Sequence, residues 1–145
     1  MLIADPGPML TLQAVDSFEK ELGFRLPESY RRFLLLHNGG APTPDAIDVP
    51  GLASSPTDVQ IFFGIGRNEQ TSSLSWNLAL ISERCGSIRA LPIACDSGGN
   101  LFCLSLEREP ATEIIYCDLD TSECARHVVA PSFQEFVARL RPFAK

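Results

Sequence analysis

The stretch that decides the fold is Leu22-Gly23-Phe24-Arg25-Leu26-Pro27-Glu28-Ser29-Tyr30, which continues through Phe33-Leu34 to Asn38-Gly39-Gly40. Before it, apolar residues recur every three or four positions from Leu12 to Leu22, the period of an amphipathic helix. Gly23 stands where a left-handed helix cap belongs. Pro27 suits the first helical position of a second helix, because proline has no amide to leave unpaired. The sequence therefore predicts two helices joined by a short elbow, which must pack as a hairpin.

The second predicted helix ends at Asn38-Gly39-Gly40, because glycine adopts positive φ at little cost. Tyr30, Phe33 and Leu34 share its apolar stripe, which we expect to face the core. Residues 1–10 contain two prolines and a glycine, and they are predicted to form a loose or edge-docked terminus.

The middle of the chain is predicted to form short strands separated by turns. The strongest signal is Asp96-Ser97-Gly98-Gly99-Asn100 between two apolar runs, a pattern typical of a β-hairpin. One helix is expected there, from Leu74 to Cys85, and it ends at Gly86. The other breaks are too short for helical crossovers, so an antiparallel meander is predicted. Its strands are expected near residues 46–49 and at 59–65, 91–95, 101–106, 113–117 and 123–129.

The last predicted helix begins at Ser132, whose hydroxyl can accept a hydrogen bond from the amide of Glu135 while the Glu135 carboxylate reaches back. Phe133 and Phe136 lie on the stripe expected to face the core, and Pro142 stops the helix. The elements therefore predict a single α+β domain over residues 1–145, with an N-terminal helical hairpin and a C-terminal helix packed against an antiparallel β-sheet.

The chain carries a formal net charge of −6, which argues against a nucleic-acid or anionic-membrane surface because both require a basic patch. No apolar run is long enough for a membrane span, and no signal peptide is visible. Five cysteines occur without a CxxC motif or a regular spacing, so we expect reduced thiols. Together these features favour a cytoplasmic protein that binds a basic protein partner.

The negative charge is concentrated between Asp96 and Glu123. This segment holds seven acidic residues and one arginine, a balance of −6 that equals the net charge of the chain. One interpretation is a solvated sheet edge that discourages strand pairing, and the other is a surface that steers a cationic partner. For the second interpretation, the candidate contact residues are Asp96, Asp118, Asp120 and Glu123. Trp76, the only tryptophan, is either a core residue or an interface anchor.

No catalytic motif is present in the sequence. His37 and His127 are far apart along the chain, and His37 lies beside an apolar stripe, as structural histidines do. No cysteine has a neighbourhood that activates a thiol, and the ligand spacing that zinc requires is missing. We therefore expect no catalytic residue, cofactor or metal, and keep a thiol or hydrolytic enzyme only as a third class of function. Three cysteines lie in predicted strands and are expected to pack in the core: Cys95, Cys103 and Cys117.

Three parts of the sequence together resemble one protein family. The string from Phe18 to Leu34, followed by Asn38-Gly39-Gly40, resembles the opening motif of the SMI1/KNR4 family, also called the SUKH superfamily. Residues 91–100 are similar to its central hairpin, and residues 132–136 to its closing helix. The resemblance covers about residues 12–141. The motif residues that we interpret as structural are Gly23, Pro27, Tyr30, Asn38, Gly39, Gly40, Gly98, Gly99 and Phe133.

The resemblance implies an α+β domain without enzymatic activity. In bacteria, members of this family are typically immunity proteins that bind and neutralise a cognate toxin, often a nuclease or a deaminase. In fungi, the family includes regulators of cell-wall synthesis. An acidic surface suits a nuclease toxin, because a site that binds nucleic acid is basic. The resemblance therefore favours an immunity protein with a basic toxin as its partner, and it leaves a regulatory scaffold that binds endogenous proteins as the alternative.

Overall fold

The computed structural model describes residues 1–86 and 88–143. The helices of this part are α1 (Leu12–Leu22), α2 (Glu28–His37), α3 (Leu74–Arg84) and α4 (Phe133–Ala138), with a 3₁₀ turn at Gln70–Ser72. The strands are β1 (Leu2–Ala4), β2 (Ala41–Thr43), β3 (Ala46–Ile47), β4 (Thr57–Asp58), β5 (Ile61–Phe62), β6 (Ala90–Cys95), β7 (Leu101–Ser105), β8 (Ile114–Asp118) and β9 (Ala125–Ala130). The fold is α+β with an N-terminal helix pair and a C-terminal helix, which confirms the prediction.

Five strands form the main antiparallel sheet, in the order β5-β6-β7-β8-β9. Each strand lies beside the next one in the chain, so the predicted meander is confirmed. Two short pairs, β1 with β2 and β3 with β4, lie outside this sheet. Gly40 joins the first pair to it, because Gly40 and Phe62 exchange backbone hydrogen bonds of 3.0 and 2.8 Å. Through β2, the strand within residues 1–10 is attached to the edge of the sheet.

Aromatic side chains pack α2 and α4 against the sheet. The rings of Phe33 in α2 and Phe133 in α4 lie 4.7 and 6.0 Å from the ring of Phe62, measured between centroids. Phe136 in α4 lies 5.3 Å from Phe102 in β7. Strand β6 is buried along nearly its whole length, which requires cover on both of its faces, and α3 packs against this strand. The core therefore lies between the sheet and the helices.

The elbow between α1 and α2 is closed by Glu19. Its carboxylate accepts a hydrogen bond of 2.6 Å from the amide of Leu26, and it also pairs with Arg31. The Arg31 guanidinium pairs with Asp16 as well, at 3.1 Å. Gly23 ends α1 in the left-handed conformation, with φ of 77°. The elbow thus combines the predicted glycine cap with a network of charges that the apolar period does not reveal.

Asn38 connects three parts of the chain. It caps α2 in the left-handed conformation, with φ of 52°, and is 1% exposed. Its side-chain amide donates to the carbonyls of Pro8 and Ile65 at 2.9 and 2.7 Å, and its Oδ1 accepts from the amide of Ile65 at 2.8 Å. Arg67 donates to the Asn38 carbonyl at 3.0 Å. The end of α2 is thereby tied to the N-terminal segment and to the loop after β5.

Several predicted boundaries are wrong by a few residues, and three of them have a clear structural cause. The strand expected at 59–65 is limited to β5, because the chain leaves the sheet to meet Asn38, where a Cβ on Gly64 would lie 2.4 Å from the Asn38 carbonyl oxygen. Pro27 is the N-cap of α2 and not its first helical residue. Helix α4 ends at Ala138, because Arg141 leaves it to exchange backbone hydrogen bonds of 2.8 and 2.9 Å with Ala46.

The first prediction compares two glycines with positive φ, Gly39 at 83° and Gly23 at 77°. A Cβ on Gly39 would lie 2.5 Å from the carbonyl oxygen of Phe62, whereas a Cβ on Gly23 meets nothing within 4 Å. We expect Gly23→Ala to lower the free energy of unfolding by about 1 kcal/mol, the cost of a left-handed alanine, and Gly39→Ala to lower it by about 3 kcal/mol. Urea denaturation measures both losses, and equal losses would contradict a packing requirement at Gly39.

The second prediction concerns Tyr30, which is 1% exposed and packs edge-on against Phe133 at 5.0 Å. In the described part of the chain its hydroxyl has no hydrogen-bond partner, and burial raises the pKa of this phenol. An unpaired buried hydroxyl costs about 1–3 kcal/mol, so we expect Tyr30→Phe to raise the free energy of unfolding by about 1 kcal/mol. Chemical denaturation checks this, and a loss of stability would show that the hydroxyl is paired in solution.

Candidate functional site

The turn between β8 and β9 lies against the C-terminal end of α3. We call residues 118–124 the acidic turn, since they include Asp118, Asp120 and Glu123. The guanidinium of Arg84, the last residue of α3, donates to the Leu119 carbonyl at 2.5 Å. The next residue, Cys85, forms a disulfide with Cys124. Helix and turn are therefore joined at two points.

This disulfide corrects the expectation of five reduced thiols, which is wrong for Cys85 and Cys124. The two residues are 39 positions apart, and the packing of α3 against the sheet brings them together, so no local spacing rule indicates the pair. The other three cysteines, Cys95, Cys103 and Cys117, are free. They lie in β6, β7 and β8, as predicted. Cys103 and Cys117 are buried in the core, whereas Cys95 is only half-buried, so the predicted core position is wrong for Cys95.

Within the acidic turn, the three carboxylates differ in their availability. Asp120 and Glu123 are exposed, whereas Asp118 is half-buried. The Asp118 carboxylate accepts a hydrogen bond of 3.0 Å from the amide of Asp120. Thr121 stabilises the same turn, because its hydroxyl donates to the Asp118 carbonyl at 2.9 Å and accepts from the amide of Ala125 at 2.7 Å. Asp120 and Glu123 can therefore meet a partner, while Asp118 shapes the turn.

Trp76 lies in the first turn of α3 and is 37% exposed. Ser73 is the N-cap of this helix and accepts a hydrogen bond of 3.2 Å from the amide of Trp76. Glu83 follows seven positions later, which places it on the same face of the helix, about 10 Å further along the axis, and it is exposed as well. The outer face of α3 therefore carries Trp76 near its beginning and Glu83 near the end that meets the acidic turn.

Asp96 lies inside the protein, and the structure does not bring it to the surface formed by α3 and the acidic turn. It is 3% exposed. One carboxylate oxygen accepts from the Tyr116 hydroxyl at 2.6 Å and from the Thr57 hydroxyl at 2.9 Å, and the other accepts from the amide of Asn100 at 2.8 Å. Gly99 completes this turn with φ of 86°. Asp96 thus holds the β6–β7 hairpin onto its neighbours.

The remaining acidic residues of the segment lie at the other end of β8. Glu107, Glu109 and Glu113 are exposed and precede β8, whereas the acidic turn follows it. Glu107 lies 4.0 Å from Arg126 in an exposed ion pair, which contributes little to stability. The charge that forms one run in the sequence is therefore divided between two separate places on the surface.

The described residues offer no accessible activated nucleophile. Burial raises the pKa of Cys95 to about 11 and raises that of Cys103 as well. The neighbouring Cys103 thiol lowers the pKa of Cys117, but Cys117 is fully buried. His37 packs against Phe33 in α2, and His127 lies in β9. Over residues 1–86 and 88–143, no three His, Cys, Asp or Glu side chains lie close enough together to hold a metal ion.

Three residues of this region have no functional role in the sequence predictions: Glu83, Arg84 and Cys85, the disulfide partner of Cys124. The helical period of α3 could have placed Glu83 on the same helix face as Trp76, because the two residues are seven positions apart. It could also have placed Cys85 on the buried stripe with Ile81. No sequence signal indicates that Arg84 meets the Leu119 carbonyl, because that contact depends on the position of α3 on the sheet.

The third prediction separates a buried acid from an exposed one. Asp96→Ala removes the acceptor of Tyr116, Thr57 and the Asn100 amide. Because it leaves buried donors unpaired, we expect the free energy of unfolding to fall by about 3 kcal/mol. The matched control is Asp120→Ala on the surface, expected to change it by less than about 0.5 kcal/mol. Chemical denaturation measures both, and a small effect of Asp96→Ala would contradict its place in the interior network.

Comparisons with known proteins give one family. The model of the SMI1/KNR4 family (SUKH-1) matches residues 9–139, a region that contains the helical hairpin, the whole five-stranded sheet and α4. A comparison with curated proteins returns no match. None of the helices that the structure describes has the length and apolar character needed to cross a membrane. The chain belongs to the SMI1/KNR4 (SUKH-1) family.

Proposed function

We propose that the protein is a non-enzymatic immunity protein, which binds a cognate toxin in the cytoplasm and occludes its active site. The observation that carries this proposal is the family match over residues 9–139. SUKH proteins are typically immunity proteins, and the family is generally non-catalytic. The proposed toxin is a nuclease or a deaminase with a basic surface around its substrate site.

The charge of the acidic turn supports a basic partner. Asp120 and Glu123 are exposed, and neither carboxylate takes part in an ion pair among the described residues. Unpaired rim carboxylates attract a cationic surface and raise the rate of association. A toxin that binds nucleic acid carries such a surface, because it neutralises phosphates with lysine and arginine. The acidic turn is therefore the proposed steering element.

The outer face of α3 supplies the apolar part of the proposed contact. Trp76 is partly exposed although tryptophan is usually well buried. Tryptophan is enriched among the residues that contribute most to binding energy, where it fills a pocket of the partner. Trp76 and Arg84 are eight residues apart, so about 12 Å of helix separates the proposed anchor from the acidic turn. One interface of ordinary size covers both.

The test of the proposed function is co-expression with the product of the neighbouring gene, which we expect to encode the toxin domain. We expect the two proteins to purify as a complex and the toxin's catalytic activity to be lost in it. A neighbouring toxin that remains active and unbound in the presence of this protein would overturn the proposal. A complex with endogenous proteins in place of a toxin would favour a regulatory scaffold.

The fourth prediction compares two charge reversals of equal size. Asp120→Lys with Glu123→Lys alters the acidic turn, whereas the matched control, Glu109→Lys with Glu113→Lys, alters the exposed acids before β8. Asp118 is left in place because it accepts a hydrogen bond within the turn. We expect the first variant to slow association with the toxin about tenfold at low salt and to weaken the salt dependence, and the control to have little effect. Stopped-flow kinetics at several salt concentrations measures this.

Equal effects of the two charge reversals would show that only net charge matters and that the acidic turn is not the contact. Trp76→Ala tests the anchor separately. We expect it to raise the dissociation constant about thirtyfold, equivalent to about 2 kcal/mol, through faster dissociation. If Trp76→Ala binds the toxin as tightly as the wild type does, α3 is not part of the interface. The acidic turn is tested separately, by its own charge-reversal variants.

A further inference from the structure

The disulfide between Cys85 and Cys124 lies at the junction of α3 and the acidic turn. Cys85 is the C-cap of α3, and Cys124 immediately precedes β9. The two residues are 6% and 2% exposed, but the turn residues next to them, Ser122 and Glu123, are exposed. A small opening of this turn therefore gives a thiol access to the disulfide without unfolding of the sheet.

The two halves of the acidic turn are held differently. In the first half, Leu119 is fixed from both sides, because its carbonyl accepts from Arg84 at 2.5 Å and its amide donates to the Asn100 side chain at 2.8 Å. In the second half, the amide of Cys124 donates to the Thr121 carbonyl at 3.2 Å, a contact within the turn itself. The covalent link from the second half to α3 is the disulfide.

The backbone of Cys124 is in a conformation that cysteine rarely adopts. Its φ is 51°, in the left-handed region where a residue with a Cβ is strained. Such a conformation persists when the surrounding structure holds it in place. Loss of the disulfide removes one of the constraints on Cys124. The backbone of Cys124 then relaxes to a less strained conformation, and Glu123 moves with it.

We propose that the Cys85–Cys124 disulfide is a redox-sensitive tie, whose reduction releases residues 120–124 from α3 and weakens the binding face of the protein. The binding part of this inference rests on the proposed function. Disulfides are rare where glutathione keeps thiols reduced, and those that occur there are usually transient and either catalytic or redox-sensing. The intact disulfide fixes Glu123 relative to α3. A side chain on a fixed backbone loses less conformational entropy when a partner binds.

The chemistry of the tie is thiol–disulfide exchange with glutathione, the reductant that we name for it. A glutathione thiolate attacks one sulfur of the disulfide, the S–S bond breaks, and a mixed disulfide forms while the other cysteine leaves as a thiolate and takes up a proton. A second glutathione thiolate resolves the mixed disulfide. Two glutathione molecules thus become one glutathione disulfide, and Cys85 and Cys124 become two thiols.

The first experiment needs no partner. The protein is equilibrated with increasing ratios of reduced to oxidised glutathione, and amide hydrogen exchange is followed by mass spectrometry. We expect the amides of residues 120–124 to exchange about tenfold faster after reduction, while peptides from β6 and β7 keep their protection. Unchanged exchange in the acidic turn, or loss of protection throughout the sheet, would overturn the proposal, since the first means no release and the second means unfolding.

The second experiment measures binding of the neighbouring toxin domain to the oxidised and the reduced protein. We expect reduction to raise the dissociation constant about tenfold. Equal affinities in the two states would overturn the regulation of binding. Absence of binding in both states, with faster exchange in the reduced acidic turn, would overturn the proposed function and leave the redox-sensitive release intact, so the two failures are distinguishable.

Variants provide the matched controls. The double variant Cys85→Ser with Cys124→Ser cannot form the disulfide. Its amide hydrogen exchange and its affinity for the toxin domain are expected to equal those of the reduced wild type at all glutathione ratios. Cys95→Ser replaces a free cysteine outside the junction and is expected to retain the full redox response. A lost response in Cys95→Ser would show that another thiol is involved and would contradict the assignment. If the double variant fails to fold, the titration of the wild type still decides the outcome.

Discussion

The hydrogen bonds of the Asn38 side chain connect the end of α2 to the N-terminal segment and to the loop after β5, which no single helix or strand joins. The amide supplies two donors and one acceptor to Pro8 and Ile65, a combination that aspartate cannot provide because an ionised carboxylate only accepts. Gly7 and Gly64 leave room for the junction, since a Cβ on either would come within 2.6 Å of the Asn38 carbonyl oxygen. The junction places Gly40 beside Phe62 and so sets the sheet against the helical hairpin.

The same junction extends to the start of α3. Arg67 donates both to the Asn38 carbonyl and to the Ser72 hydroxyl, at 3.0 and 3.1 Å, and Ser73 then caps the helix. At the other end, Arg84 and the Cys85–Cys124 disulfide join α3 to the acidic turn. The helix is thus held at both ends while its outer face stays open. This arrangement presents Trp76 on a rigid support, as a binding surface requires.

Asp96 and Asp120 illustrate the limit of reasoning from charge. Both belong to the acidic segment, and nothing in the sequence marks one as buried. In the structure Asp96 accepts three hydrogen bonds in the interior, whereas Asp120 is exposed. The register of β8 beside β7 places Tyr116 opposite Phe102, and its hydroxyl then reaches Asp96. Pairing between strands is non-local, so the interior acid could not be separated from the surface acids before the sheet was known.

The sequence by itself determined the helical hairpin, the meander and the closing helix, because caps, apolar periods and turn residues act over a few positions. It also determined that the chain has the SMI1/KNR4 pattern, since those local signals recur in a fixed order. Only the tertiary structure decided which acids face solvent, that Cys85 meets Cys124 across 39 positions, and that the acidic turn lies at the end of the helix that carries Trp76. These contacts join residues that are distant in the chain, and the packing of α3 on the sheet brings them together.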